Sequence, residues 1–470
     1  MESRSSRCTS SSRSSRPPQH QAGRRLWPVV HSPSIAPYQQ KSTCTLGPLT
    51  KANRSLLSFA YDQRKLTSPE TFVQPDAYPS TERGSVRRTP EGYWAFIPTD
   101  VPRQITLSHE VIKLLDEATG AVHRLGGVGR LIPNPHLLIG PHLRLEAVLS
   151  SRIEGTKTDV GQLLRFEAGQ LPSSDDADDA AEVRNYIHAM EHGLARVRDG
   201  FPISVRLLRE MHERLLDGVR GQHRLPGELR SSPVWMGGST LNDAVFVPPP
   251  PHEMQIALTD LERFLHEDKL PLLVQLAIAH YQFEVIHPFL DGNGRIGRLL
   301  IPLMLIVRGA LPQPLLYLSA YFEQHRSEYY DHLLITSQSG DLMPWLAFFL
   351  RGVRRQARDS EERTVRLVEL QHVLRSELLD EGRPNSVVRL AEQLFSVPVV
   401  TTARVEAMIG VTRPTAQAAI DALVERDVLV ETSGRERRRV YEAPAIFEAV
   451  YGSVDVPESS VAPQLPLGHT

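Results

Sequence analysis

Apolar residues recur at helical spacing over most of the chain from about Gly92 to Leu379. Val111, Leu114, Leu115, Ala118 and Val122 share one face of a helix predicted over Leu107–Leu125. A second predicted helix runs from Pro141 to Glu154, opening on proline and closing at Gly155. Further helices are predicted over Ala181–Arg198, Ser204–Asp217, Met254–Glu267, Pro271–Glu284, Arg295–Arg308, Ser327–Ser337 and Met343–Leu379, the last long enough to be two in series. Two β-prone runs, Val234–Gly238 and Ala244–Val247, flank a turn-rich stretch and read as a hairpin that Pro248–Pro251 terminate. The acidic run Ser173–Asp179 reads as a solvated loop.

Beyond Pro384 the pattern shortens. Helices over Val387–Leu394, Arg404–Ile409 and Pro414–Arg426 precede a β-prone pair, Leu429–Val430 and Val440–Tyr441, around Ser433–Gly434. Three short helices and a hairpin is the order of a winged helix-turn-helix domain. Residues 1–90 differ from all this: they are rich in Ser, Arg and Pro, and Glu2 is the one acid before Ala60. Such a segment cannot bury enough apolar surface to offset its ordering entropy, so a disordered tail is expected. An organellar transit peptide and an upstream start codon are the other readings of this composition. A second disordered tail is expected over 454–470.

Composition narrows the function classes. The 470 residues are 41% hydrophobic and 23% charged, with a net charge of -2, so no global basic bias points to nucleic acid. Cys8 and Cys44 are the only cysteines, which excludes disulfides, Cys-based zinc sites and a cysteine nucleophile from the expected folded part. The longest apolar run, Leu299–Val307, contains Pro302 and is too short to span a bilayer. A soluble, cytoplasmic protein with no membrane partner is the expectation.

The densest chemistry lies in His287-Pro288-Phe289-Leu290-Asp291-Gly292-Asn293-Gly294-Arg295-Ile296-Gly297-Arg298, a loop opening into a helix. Gly292, Asn293 and Gly294 allow successive N–H groups to converge as an anion nest. The helix that follows adds its positive end. Arg295 and Arg298, three apart, share a helix face and can reach one polyphosphate. Asp291 is a hard oxygen ligand suited to Mg²⁺ bridging phosphates. His287 is the side chain there that accepts a proton near neutral pH. Together these fit in-line transfer at phosphorus.

This segment resembles the signature of the Fic family, His-x-Phe-x-Asp/Glu-Gly-Asn-Gly-Arg-x-x-Arg, at every defined position. Around it, Leu276–Ile286, the Pro226-Gly227-Glu228 turn, Trp235–Gly238, Leu316–Ser319 and Tyr329–Tyr330 look like the family's other elements, so that about Gly92 to Ala357 fits multi-domain bacterial members. The resemblance implies a mainly α, Fic-type helical domain with a small β-hairpin flap. It implies an adenylyltransferase that moves AMP from ATP to a protein hydroxyl and releases pyrophosphate. On that basis His287 is the general base and Asp291 holds Mg²⁺. The loop and helix from Gly292, Asn293, Gly294 and Arg295 through Ile296, Gly297 and Arg298 hold the phosphates. Tyr329 and Tyr330 border the adenine. Val234, Trp235, Met236 and Gly237 pair with the target backbone by strand addition.

Upstream, Ser150-Ser151-Arg152-Ile153-Glu154-Gly155 resembles the family's inhibitory pattern, Ser/Thr-x-x-x-Glu-Gly/Asn. Ser150 and Glu154 share a helix face, and Gly155 permits close approach by another backbone. The implied brake is a Glu154–Arg298 pair in the space of the γ-phosphate. The domains expected are an N-terminal helical region carrying this helix (91–180), a catalytic core (181–360), a helical linker (361–384) and the winged helix (385–453). Thr415 and Gln417 early in the last helix, with Arg435, Arg437, Arg438 and Arg439 on the wing, leave contact with DNA or with protein open. Self-modification and a homodimer are further open partners. The competing readings are a nucleotide-sensing winged-helix regulator, and a Fic enzyme that removes AMP or transfers another phosphate-containing group.

Overall fold

In the computed structural model, residues 75–131, 135–170, 174–219 and 224–452 are described. The expected tail at 454–470, and the expected tail at 1–90 up to residue 74, lie outside the described residues.

Order begins earlier than the composition suggests. Strands β1 (Gly84–Arg88) and β2 (Trp94–Pro98) pair antiparallel, Gly84 opposite Pro98 and Arg88 opposite Trp94. Phe96 is fully buried, and its ring meets those of Tyr78 and Phe246 at 6.0 and 5.5 Å. The expected start of order near Gly92 therefore falls inside a hairpin whose apolar members come from both sides of it.

Helix α1 (His109–Leu131) continues past its predicted end at Leu125. The reason is close packing at its glycines: a Cβ on Gly126 would lie 2.8 Å from the carbonyl oxygen of Ala310, and one on Gly129 would lie 2.6 Å from Leu315. Helix α2 (Pro135–Ile153) takes Pro141 into its interior rather than opening on it. Helix α3 (Val160–Glu167), absent from the sequence reading, is started by a capping box of Asp159 and Gln162. Helix α4 spans Ser174–Arg198, so the acidic run expected as a loop is helical from Ser174 onward. Acidic residues suit the positive end of a helix, and the composition of that run hid this.

Helices α5 (Val205–Leu215), α6 (Pro251–His266), α7 (Leu272–Ile286) and α8 (Asn293–Val307) build the central body. Helix α7 is apolar on all sides and is buried along nearly its whole length. Helices α9 (Ser319–Gln324) and α10 (Arg326–Ser339) replace the single helix predicted over Ser327–Ser337. Helix α11 (Met343–Asp380) is one continuous helix, about 57 Å long at 1.5 Å per residue.

The C-terminal part follows as α12 (Asn385–Leu394), β3 (Val399–Thr401), α13 (Thr402–Ile409), α14 (Arg413–Val424), β4 (Val430–Glu431), β5 (Val440–Glu442) and α15 (Pro444–Tyr451). Its strands form one antiparallel sheet in the order β3-β5-β4. This part is tied to α2 and α3. The Glu167 carboxylate accepts from Arg144 at 2.9 Å and from Arg404 at 3.2 Å, and Arg144 also donates to the carbonyl of Ser396 at 3.2 Å.

Candidate functional site

The site lies where α7 ends, α8 begins and α2 ends. His287 closes α7 with φ 49° and ψ 62°, a left-handed conformation that is uncommon outside glycine. Its Nδ1 lies 3.3 Å from the carbonyl oxygen of Glu284. A carbonyl only accepts, so Nδ1 carries the proton and Nε2 keeps its lone pair. Burial, then the nearby Arg230 cation, pushes this imidazole down to about 4. The ring is neutral at physiological pH and able to take a proton.

The loop between the helices is held from three directions. Asn293 is buried, and its side chain accepts from the N–H of Phe289 at 2.8 Å and donates to the Phe289 carbonyl at 2.9 Å. Gly292 stands at φ 72° as the N-cap of α8. The Asp291 carboxylate accepts the Gly292 N–H at 2.6 Å and leaves 45% of its side chain exposed. Below the loop, His212 of α5 is fully buried and stacks on Phe289 with ring centroids 3.9 Å apart. The Gly227 N–H donates to its Nδ1 at 2.9 Å, and its Nε2 donates to the Asp291 carbonyl at 3.0 Å. The bond accepted at Nδ1 requires the neutral ring, and burial holds its pKa down at about 4.

Two arginines face the open end of α8. Arg295 is buried, 3.3 Å from the Glu182 carboxylate and 3.6 Å from that of Asp291, and its Nε has no partner among the described residues. Arg298, 2% exposed, donates to the Ser150 hydroxyl at 2.8 Å, to the Ser150 carbonyl at 3.1 Å and to the Glu154 carboxylate at 2.6 Å. Burial opposes ionisation of Glu154, yet the Arg298 charge and hydrogen bond hold its carboxyl below the usual range. Gly155 turns the chain away at φ 105°. The Glu154 carboxylate rests on α8 itself: a Cβ on Gly294 would lie 2.2 Å from Glu154 Oε1. Glu154 therefore fills the space directly over the helix terminus.

Of the predicted residues, the structure brings together Ser150, Glu154, Asp291, Gly292, Gly294, Arg295 and Arg298 at one end of α8, with His287 preceding the loop. Ile296 is buried in the core, and Gly297 packs on α7, where a Cβ would meet Glu284 at 2.5 Å. The tyrosine pair separates. Tyr329 is buried, bonded through its hydroxyl to His280 at 2.9 Å and stacked on Phe322 at 4.6 Å, so it belongs to the aromatic core. Tyr330 keeps some exposed surface. The hairpin of Val234, Trp235, Met236 and Gly237 is reduced to one bridge, Met236 opposite Phe246, with the tip closed by Asp243. Trp235 stands 42% exposed. Strand β2 adds to this hairpin, since the Phe96 N–H donates to the Val247 carbonyl at 2.9 Å.

Sequence reasoning missed His212, Arg230, Glu146 and Glu284. Glu146 on α2 is buried and accepts from the Ser319 N–H at 3.1 Å and from Tyr186 at 3.2 Å; burial pushes its carboxyl up to about 7. Burial likewise raises Glu284 to about 8, and its Oε1 is buried without a partner among the described residues. Arg230 was within sight, two residues beyond the Pro226-Gly227-Glu228 turn. Its partners are main-chain carbonyls, which leave no mark in a sequence.

Among the described residues no group of three His, Cys, Asp or Glu side chains could hold a metal ion. Asp291 alone, half exposed beside the nest, fits an ion that phosphates and water otherwise coordinate. No helix among these residues is long and apolar enough to cross a membrane.

Comparison with known proteins finds matches over the regions that carry the site. Residues 112–195 match the Fic/DOC family N-terminal model and residues 202–305 match the Fic/DOC family model. Protein adenylyltransferase Fic of Aedes aegypti is 33% identical over 196 residues, covering 39% of this chain and 34% of the relative. Its counterpart in Culex quinquefasciatus is 34% identical over 152 residues, 31% of this chain and 27% of the relative. The chain thus spans about a third of the length of the curated relatives it matches. A Fic family protein from Desulfovibrio desulfuricans aligns over 72% of this chain and 97% of its own, with 22% identity and a TM-score of 0.46.

Proposed function

We propose that this chain, two regions of which match Fic/DOC family models and together carry the site, transfers AMP from ATP to a hydroxyl of a protein and that Glu154 restrains the reaction. One observation carries this reading. The neutral imidazole of His287, the start of α8 and the buried Arg298 lie together, and the Glu154 carboxylate sits over that helix start on Arg298.

In the transfer, the target hydroxyl oxygen attacks the α-phosphorus and its proton passes to His287 Nε2. The bond from the α-phosphorus to the α–β bridging oxygen breaks, and pyrophosphate leaves. The amides at the start of α8 stabilise the charge that develops on the α-phosphate. Arg295 and Arg298 bind the β- and γ-phosphates. Asp291 would hold the Mg²⁺ that accompanies ATP, which when bound would neutralise phosphate charge. The hairpin edge at Val234–Gly237 offers main-chain groups to an extended target segment, and the exposed Trp235 adds apolar area beside it. With Glu154 on Arg298, a γ-phosphate has no place, and ATP sits out of line for attack. The working place on this reading is the cytoplasm, where ATP is at hand.

Supporting variants would be compared with label from α-³²P-ATP and Mg²⁺. Glu154→Gly labels protein strongly, wild type weakly, and Glu154→Gly/His287→Ala not at all. Labelling that survives loss of His287 would overturn the assignment of the base.

The C-terminal part has a second reading of its own, a winged helix that contacts duplex DNA. Thr412, Arg413 and Thr415 at the start of α14 and Arg435, Arg437, Arg438 and Arg439 between β4 and β5 are all exposed. Salt-dependent duplex binding that disappears when the four wing arginines become alanine would support it. Absence of duplex binding by the intact protein would remove it.

A further inference from the structure

Arg230 has no role in the chemistry above, yet it is buried to 1% exposure beside the base. Its guanidinium makes four hydrogen bonds, all to main-chain carbonyls. Nε donates to His287 at 2.7 Å, Nη2 to Pro249 at 2.5 Å and to Ile286 at 3.3 Å, and Nη1 to Ser232 at 3.3 Å. Its own N–H donates to the Pro288 carbonyl at 3.0 Å. Among the described residues no carboxylate pairs with it. A buried cation without a counter-ion is expensive unless dipoles replace the ion. Here the negative end of α7, at Ile286 and His287, supplies them.

We propose that Arg230 is the positioning residue of the transfer site, locking the His287 backbone and the exit of the target-docking hairpin into one rigid unit. The proposal rests on the AMP-transfer reading and adds to it how the base and the target are kept in register. Pro249 lies at the end of the hairpin strand that holds Phe246 and Val247, and His287 lies at the end of α7. One planar fork spans both, which fixes the distance from the docked target backbone to Nε2. It also holds the carbonyl of a non-glycine residue in a left-handed conformation, which otherwise relaxes. Lysine offers three donors around one point and cannot bridge the same four carbonyls.

The fork also places a positive charge behind the imidazole. The charged groups around His287 are Arg230 from the loop after α5, Glu154 from the end of α2 and Asp291 from the loop before α8, with the Glu284 carbonyl on its own helix. Arg230 is the cation among them, and it opposes protonation of the ring. Loss of the charge therefore raises the pH at which His287 protonates.

The test uses the full chain with Glu154→Gly, adding Arg230→Lys or Arg230→Gln. Three quantities are measured: the dissociation constant for Mg²⁺-ATP, the maximal rate of AMP transfer, and the protonation of His287 followed by NMR of ¹⁵N-labelled histidine. Arg230→Gln lowers the maximal rate on the order of a hundredfold, as a misplacement of about 1 Å does. It leaves ATP affinity within about threefold, because the nest is held by Asn293 and His212 instead. It also raises the pH at which His287 titrates. Arg230→Lys keeps the titration near that of the parent and recovers part of the rate. Equal loss of ATP binding and rate in both variants, or an unshifted His287 in Arg230→Gln, overturns the proposal. If no variant transfers AMP, including the parent, the transfer reading fails while the ring titration still tests Arg230.

Discussion

His212 offers a direct measure of how firmly the phosphate loop is held. Replacing it with phenylalanine keeps an aromatic ring stacked on Phe289, where the native centroids are 3.9 Å apart. It removes the acceptor for the Gly227 N–H and the donor to the Asp291 carbonyl. Each buried main-chain group left without a partner costs about 1–3 kcal/mol, so the variant is expected to be about 3–4 kcal/mol less stable at pH 7. The deficit depends on pH with a definite sign. The native ring titrates at about 4, below the 6.5 usual for an imidazole, because of burial. The contribution of His212 is therefore complete above pH 6.5 and is lost as pH falls from 6.5 toward 4, at about 1.4 kcal/mol per unit. At pH 5 the deficit should have shrunk by about 2 kcal/mol. Urea denaturation at pH 7 and pH 5 reads both numbers. Transfer by the same variant in a Glu154→Gly background should fall on the order of a hundredfold, since the Asp291 carbonyl that anchors the nest is released. A deficit under about 0.5 kcal/mol at pH 7, or one that grows on acidification, would refute the reasoning.

Three further outcomes follow from the same geometry. Glu154→Gly leaves the buried Arg298 with Ser150 as its remaining partner among the hydrogen bonds described; thermal melts should show a loss of about 2 kcal/mol without nucleotide, discounted for the one-third exposure of Glu154, and a larger Mg²⁺-ATP stabilisation than in wild type. Asn293→Ala removes both bonds to Phe289; calorimetry should record at least tenfold weaker ATP binding, because the loop loses its clamp. Glu146 is raised to about 7 by burial, so its native form gains stability below pH 4.5 that is lost as pH rises through 7. Glu146→Gln should therefore gain relative to wild type across that window, by up to about 3 kcal/mol in melts at fixed ionic strength.

The grouping of His287 to Arg298 was legible because it is contiguous: imidazole, carboxylate, glycines and arginines occupy one loop and one helix start, so their proximity needs no long-range contact. Ser150 and Glu154 were legible by their four-residue spacing on α2, and the structure places both on Arg298 across 148 and 144 residues. Residues that act through main-chain partners were not legible. His212 reaches the Asp291 carbonyl 79 residues away, and Arg230 reaches His287 57 residues away; neither partner contributes a side chain that a pattern could match. Secondary structure failed where tertiary packing overrode a local signal. The helix predicted to end at Leu125 runs on through Gly126 and Gly129, which allow close approach to the Ala310–Leu315 segment. Asp178 and Asp179 signalled a solvated loop, but they lie in α4, and Asp179 accepts the Lys157 N–H at 2.8 Å.

The hairpin of β1 and β2 carries a practical lesson for anyone shortening this protein. A chain begun at Gly92 would retain every residue of the site and discard only sequence that looks like tail. It would also strip β1 from β2, baring the main-chain groups of Ala95 to Pro98 along that edge, and remove Tyr78 from over Phe96 and Phe246. An unpaired strand beside uncovered aromatic rings invites edge-to-edge aggregation. Such a truncation should precipitate where one begun before Pro75 stays in solution, and light scattering of the two would separate a failure of solubility from a failure of chemistry.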